Sequence, residues 1–330
     1  DIKTTILPNA DALFLTAIDK YGHELWRWTF PVDKLNQTNE VFSPLSGKAT
    51  YSETENELTV KAKNHTFIFS KRDGQLKGVS VNNHKISFAN GPRFIGARRA
   101  DRSLDQFYNH DDEKAKEKDR TYSEFPDAAV FTKLEVKEDG GNLIVTANYK
   151  LGNLDKAQWT INPNGEAALD YTYNFSGVVD LIGISFDYPE DQVISKRWLG
   201  AGPYRVWQNR IHGTQYDVWE NDYNDPIPGE TFTYPEFKGY FDSVSWMNIR
   251  TKEGTISLTN ETPDSYIGVY QPRDGRDRLL YTLPESGISV LDVIPPVRNK
   301  VNSTDLCGPS SQPKWVNGPQ TGRIIFRFME

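Results

Sequence analysis

From Leu169 the chain reads LDYTYNF, with Leu169, Tyr171, Tyr173 and Phe175 alternating with Asp170, Thr172 and Asn174. Successive side chains of a β-strand point to opposite faces, so this stretch sets apolar rings on one sheet face and polar groups on the other. The same period-two reading fits LTVKAKNHTFIFS from Leu58, NLIVTANY from Asn142, SYIGVYQP from Ser265, ISVLDVIPP from Ile288 and RIIFRFM from Arg323. Between such runs lie Asp73-Gly74, Asp139-Gly140-Gly141, Asn164-Gly165, Glu253-Gly254 and Asp274-Gly275, residues that tolerate positive φ at hairpin tips. No long amphipathic helix pattern separates the runs, which excludes βαβ architecture and its nucleotide crevices. The expected fold is therefore all-β and antiparallel, with no sizeable helices.

The net charge of −7 is spread without clusters of Lys and Arg, which argues against a nucleic-acid partner, since such proteins concentrate cations to neutralise phosphates. No apolar run approaches the roughly 20 residues that cross a bilayer, so no membrane insertion is expected. Cys307 is the single cysteine. It allows no internal disulfide framework, and DLCGPSSQP offers it no histidine base, so it reads as an inert, buried thiol. No HExxH, EF-hand loop or Cys/His spacing marks a metal or cofactor site, and no cofactor is expected, although the acidic loops leave room for a structural calcium. The run DDEKAKEKDR, Asp111 to Arg120, mixes both signs and reads as a solvated surface excursion. With Asp1 first and Met only at 247 and 329, the chain is expected to be a processed product or a cloned piece.

Aromatic residues make up 12% of the chain, many beside Gly or Pro. Such rings stack on the C–H faces of a pyranose while neighbouring Asp, Asn and Arg bond its hydroxyls; most of them are nonetheless expected in the core of a large sandwich.

Three segments in order, and a fourth near the end, carry a resemblance. LTAIDKYGHELWRWTFPV (Leu15 to Val32) holds Gly22, His23 and Glu24 before an aromatic strand. HTFIFSKRDGQLKGVSVNNHKISFANGPRF (His65 to Phe94) holds Asp73-Gly74 and Gly91-Pro92, followed by GARRADRSLDQF with Arg98, Arg99, Asp101 and Asp105. ISKRWLGAGPYRVWQNRIHGTQYDVWEN (Ile194 to Asn221) holds Trp198, Gly200, Gly202, Pro203, Tyr204, Arg205 and Asn209-Arg210. DLCGPSSQPKWVNG, from Asp305, carries Trp315. Together these are similar to the C-terminal region of family 2 glycoside hydrolases of the β-galactosidase type: the end of an immunoglobulin-like domain, then a final supersandwich of the galactose mutarotase-like kind. The arginine and acidic run after Gly91-Pro92 has altered spacing. Tyr204 and Arg205 replace the family's usual His or Glu positions, and Gln312, Pro313 and Lys314 replace its acidic pair before the tryptophan, departures that imply a subfamily other than the standard lactases.

The resemblance implies an antiparallel supersandwich over residues 41–330, preceded at 1–40 by terminal immunoglobulin-like strands and a linker. It implies that the acid/base and nucleophile glutamates lie on an upstream catalytic barrel of the same polypeptide, leaving this chain without the two carboxyls about 5 Å apart that double displacement needs. The expected ligand is a carbohydrate substrate with β-linkages, the setting secreted, periplasmic or cell-surface. Trp315 is the candidate wall of the parent's sugar site; Tyr204, Arg205 and Trp207 are candidate cleft residues, with Arg98 and Asp101 beside them. Two other readings stay open. One is a self-contained mutarotase-like epimerase or polysaccharide lyase using a His and a carboxylate, although loop hydrogen bonding is the better reading of His212 and Glu236. The other is a protein interaction module, which is told apart from a glycan site by where exposed aromatics cluster; burial of Trp315, Trp207 and Tyr204 in the core would remove the sugar-facing reading.

Overall fold

The computed structural model describes residues 10–32, 42, 46–99, 122–222, 239–262, 264–269, 286–296 and 308–330. Strands β1 (Ala12–Ile18) and β2 (Glu24–Pro31) form a hairpin of their own. Next come β3 (Thr50–Glu53), β4 (Glu57–Ala62), β5 (His65–Ser70), β6 (Leu76–Val81), β7 (His84–Ile86), β8 (Ala89–Arg99) and β9 (Tyr122–Glu124), all in one sheet. The chain crosses to a second sheet with β10 (Val130–Asp139), β11 (Asn142–Lys150), β12 (Leu154–Ile161) and β13 (Ala167–Asn174). After the short β14 (Gly177–Val179), β15 (Leu181–Asp187) returns to the first sheet, and β16 (Val193–Gly202) and β17 (Gln215–Asn221) rejoin the second. β18 (Phe241–Asp242) belongs to the first sheet, β19 (Trp246–Thr251) and β20 (Gly254–Asn260) to the second, β21 (Tyr266–Gly268) and β22 (Ile288–Val293) to the first. β23 (Lys314–Val316) pairs with β14, and β24 (Pro319–Met329) lies within the second sheet between β13 and β20.

All of these pairings are antiparallel. The first sheet runs β18-β21-β22-β15-β8-β6-β5-β4-β3, with β7 beside β6 and β9 beside β8; the second runs β10-β11-β12-β13-β24-β20-β19-β16-β17. Helical structure among the described residues amounts to two 3-10 turns, Glu190–Gln192 and Pro309–Ser311. No helix among those residues is long and apolar enough to cross a membrane.

The expected alternation holds on β13, where Leu169, Tyr171 and Tyr173 are buried and Asp170 is not. Asp170 instead accepts from Arg323 Nη1 on β24 with both carboxylate oxygens, at 2.8 and 2.7 Å. Between the sheets, Trp159 packs against Phe69, Phe186 and Phe326 with ring centroids 6.1, 6.0 and 5.9 Å away. Burying each such ring contributes about 1.5–3 kcal/mol, and edge-to-face contacts add roughly 0.5–1.5 kcal/mol.

The strands at the centre of the first sheet are covered on both faces. Phe94, Ile182, Ile184 and Val290 face the sandwich core, whereas Ile95, Leu181 and Leu291 join Val206, Trp207, Tyr240 and Ile294 in a second core. The segment after β16 crosses that outer face.

Gly74, Gly141, Gly165 and Gly254 sit at positive φ (73°, 92°, 89° and 128°), as the turn chemistry predicts. The run from Leu58 to Ser70 is two strands, not one. Lys63-Asn64 forms the turn between β4 and β5, with Lys63 at φ 51°, and a lysine in that role leaves no local turn signal. Asp274-Gly275, residues 111–120, Cys307 and the linker expected before residue 41 (residues 33–40) lie outside the described residues.

Candidate functional site

Trp315 lies in the middle of β23, opposite Val178 of β14, and its side chain is 69% exposed. The ribbon carrying it is pinned at both ends. On one side, Ser176 Oγ donates to Asn317 Oδ1 at 2.9 Å and accepts the Gly318 N–H at 3.3 Å. Gly318 turns the chain at φ 83°, a region glycine enters without cost.

On the other side, Gln208 holds the 3-10 turn that precedes Trp315. Its Nε2 donates to Ser310 O at 2.9 Å and to Gln312 O at 2.7 Å, and its backbone N–H donates to Pro295 O at 3.1 Å. Asn209 adds a hydrogen bond to Ser311 Oγ at 3.0 Å. Gln208 is 6% exposed, so these bonds form in a site where an unsatisfied carbonyl is costly. The Tyr204–Arg210 segment and the Trp315 segment, about a hundred residues apart in the chain, thus form one platform.

The other sequence candidates fall into different positions on that platform. Tyr204 is 66% exposed. Arg205 is half-buried, with its guanidinium 5.8 Å from the centroid of the buried Phe241, within cation–π range. Trp207 is corrected from a cleft residue to a core residue. It is only 2% exposed, packs edge-on to Tyr240 at 5.5 Å, and belongs to the second core. The adjacent Val206 exchanges backbone hydrogen bonds with Tyr240 at 2.8 and 2.9 Å, which locks the ring in place.

Arg98 lies on β8, half-buried. Asp180, which follows β14 directly, donates its backbone N–H to Ala97 O at 2.9 Å, so the β8 backbone at Arg98 runs next to the ribbon that bears Trp315. Asp101 and Glu236 lie outside the described residues. Gln208 and Ser311 were not singled out from the sequence, and Asn209 was noted only as part of the Asn209-Arg210 pair that ends the resembling block.

His212 is exposed on the loop before β17. The Asp242 carboxyl is pushed above its ordinary range, chiefly because burial disfavours its charge, while Ser243 Oγ donates to it at 3.1 Å. Among the described residues no group of three or more His, Cys, Asp or Glu is placed to hold a metal ion. The exposed rings of this platform are those of Trp315 and Tyr204.

Several solved structures are similar at low identity. A galactose 1-epimerase from Lactobacillus acidophilus matches with a TM-score of 0.49 and 10% identity, covering 86% of this chain and 99% of its own. A GalM/aldose epimerase homologue from C. elegans matches at 0.39 and 10%, covering 86% and 99%. A galactose mutarotase-like protein from Lactobacillus casei matches at 0.35 and 11%, covering 85% and 99%. No curated protein matches the sequence. The family described as beta galactosidase small chain matches residues 61–287, from within β4 to the turn before β22, and the chain belongs to that family.

Proposed function

We propose that this chain is the non-catalytic, active-site-completing C-terminal portion of a secreted glycoside hydrolase that acts on β-linked glycans, with Trp315 as an aromatic wall of the sugar site. The observation that carries the reading is the mismatch between how exposed Trp315 is and how firmly its ribbon is held. A large indole kept in water on a pinned ribbon is the arrangement expected of a preformed stacking surface. Tyr204, exposed on the segment braced to the same turn, supplies a second ring, and Arg98 is proposed to reach a sugar hydroxyl from β8. The barrel that supplies the two carboxyls is proposed to precede this chain in the same polypeptide.

The β1–β2 hairpin fits the same reading. Cross-strand pairing puts Leu13 with Phe30, Leu15 with Trp28 and Ala17 with Trp26 on one face, and Leu15, Trp26, Trp28 and Phe30 are exposed. An isolated two-stranded hairpin is marginal in water, and the remaining strands of an immunoglobulin-like domain are proposed to cover this face.

The test is kinetic. In the full-length parent, Trp315→Ala should raise KM for an aryl β-glycoside several-fold, while the 330-residue chain alone shows no turnover. An unchanged KM, hydrolysis by the isolated chain, or mutarotation of galactose above background by polarimetry would each replace the reading.

A further inference from the structure

A cleft of about 480 Å³ is lined by residues from strands of both sheets. The β5–β6 turn contributes Arg72, Asp73 and Gln75, β8 contributes Arg93 to Gly96, and the β10–β11 pair contributes Phe131 and Tyr149. Residues Phe125 to Asp127 and Ala129 complete its lining with Leu154. Neither Trp315, Tyr204, Arg205, Trp207 nor Arg98 lines it, so it is separate from the platform described above. Its volume lies within the roughly 300–1,000 Å³ of small-molecule sites.

The walls are preformed. Tyr149 Oη donates to Asp73 O at 2.9 Å and ties the second sheet to the β5–β6 turn. Asp127 Oδ1 accepts the backbone N–H groups of Ala129, Asn153 and Leu154 at 3.1, 3.1 and 3.3 Å. Phe131 stands edge-on to Tyr149 at 5.9 Å and presses on Gly74, where an added Cβ would come within 2.7 Å of the Phe131 ring. Little ordering remains to oppose binding, which favours affinity.

The lining chemistry selects the ligand class. Arg72 and Arg93 are matched by Asp73 and Asp127, so the cleft carries no surplus charge for a phosphate or a carboxylate ligand. Arg93 pairs with Asp187 and Asp73 with Lys77 at 2.8 Å. Arg72 is exposed and uses its Nε on Asn56 Oδ1 at 3.2 Å; no carboxylate pairs with it among the described residues. Half-buried Phe125, Phe131 and Tyr149 present ring surface beside these donors and acceptors. Ring faces flanked by Arg, Asp and Gln in a neutral setting suit a polyhydroxylated ligand with apolar C–H faces. We infer that this cleft is a second, non-catalytic carbohydrate subsite for one or two uncharged pyranose units, independent of Trp315.

The test uses the full 330-residue chain, with lactose, cellobiose and β-1,4-galactobiose as probes, read by saturation-transfer NMR and titration up to roughly 10 mM, a range set by weak single-site affinity. Arg72→Ala, an exposed change, and Phe131→Ala are each expected to weaken binding of at least one disaccharide about tenfold. Trp315→Ala should leave that binding unchanged. Thermal melts identify a Phe131→Ala protein that fails to fold, in which case Arg72→Ala decides. No binding of any probe, binding unaffected by Arg72→Ala, or binding lost only in Trp315→Ala overturns the inference. A failure here leaves the role of Trp315 to be judged by the parent's KM.

Discussion

The Gln208 side chain and the Gln312 backbone carbonyl meet at 2.7 Å, joining the loop after β16 to the turn before Trp315. The Ser310 carbonyl accepts from the same amide nitrogen at 2.9 Å. One buried amide therefore determines where an exposed indole is held.

Replacing that amide should release the turn without unfolding the sandwich. Gln208→Ala removes two hydrogen bonds and is expected to cost about 1–3 kcal/mol. Hydrogen exchange should accelerate over residues 308–316 while β11 to β13 stay protected. In the parent, KM should rise as it does for Trp315→Ala, with a smaller amplitude.

Trp207 and Tyr204 make opposite predictions. Trp207→Ala empties part of the second core and should destabilise the chain by about 3–5 kcal/mol, seen as a lower denaturant midpoint. Tyr204→Ala removes an exposed ring and should change stability by less than about 0.5 kcal/mol.

The last strand should be indispensable. β24 lies between β13 and β20, and Phe326 contacts Phe88, Trp159 and Phe186. Phe326→Ala is expected to cost about 3–5 kcal/mol. Deleting residues 319–330 should abolish the cooperative thermal transition in calorimetry.

Asp292 gives a pH signature. Its carboxyl accepts a hydrogen bond from Tyr173 Oη, and burial raises its pKa above the ordinary 3.8, with the Tyr173 hydrogen bond opposing the shift. The folded state thus holds this proton more tightly than the unfolded state, so its contribution to stability falls as pH rises from 3.8 through the folded value. Asp292→Asn keeps an acceptor for Tyr173 and carries no charge. Its stability relative to the unsubstituted chain should improve across that window and then level off, as measured by urea unfolding against pH. A flat difference would count against the buried charge.

Local pattern by itself determined the class of structure. The alternation at Leu169, Tyr171 and Tyr173 and the glycines at 74, 141, 165 and 254 act within a strand or a turn, where side-chain period and φ preference are decided by neighbours in sequence. The Lys63-Asn64 turn escaped because its signal is not local: Lys63 is held at positive φ by the pairing of β4 with β5. The resemblance, carried by segments in order, led to the family. Tertiary structure alone separated Trp207 from Trp315. Both follow a glycine-proline stretch, yet one ring is buried against Tyr240 and the other stands in solvent, because burial depends on which distant strands the loop crosses. The same holds for Gln208, whose two acceptors lie more than a hundred residues downstream, and for the cleft, whose walls come from both sheets. Such contacts are produced by the order of strands in the sheets, and that order is set by packing between segments remote in the chain.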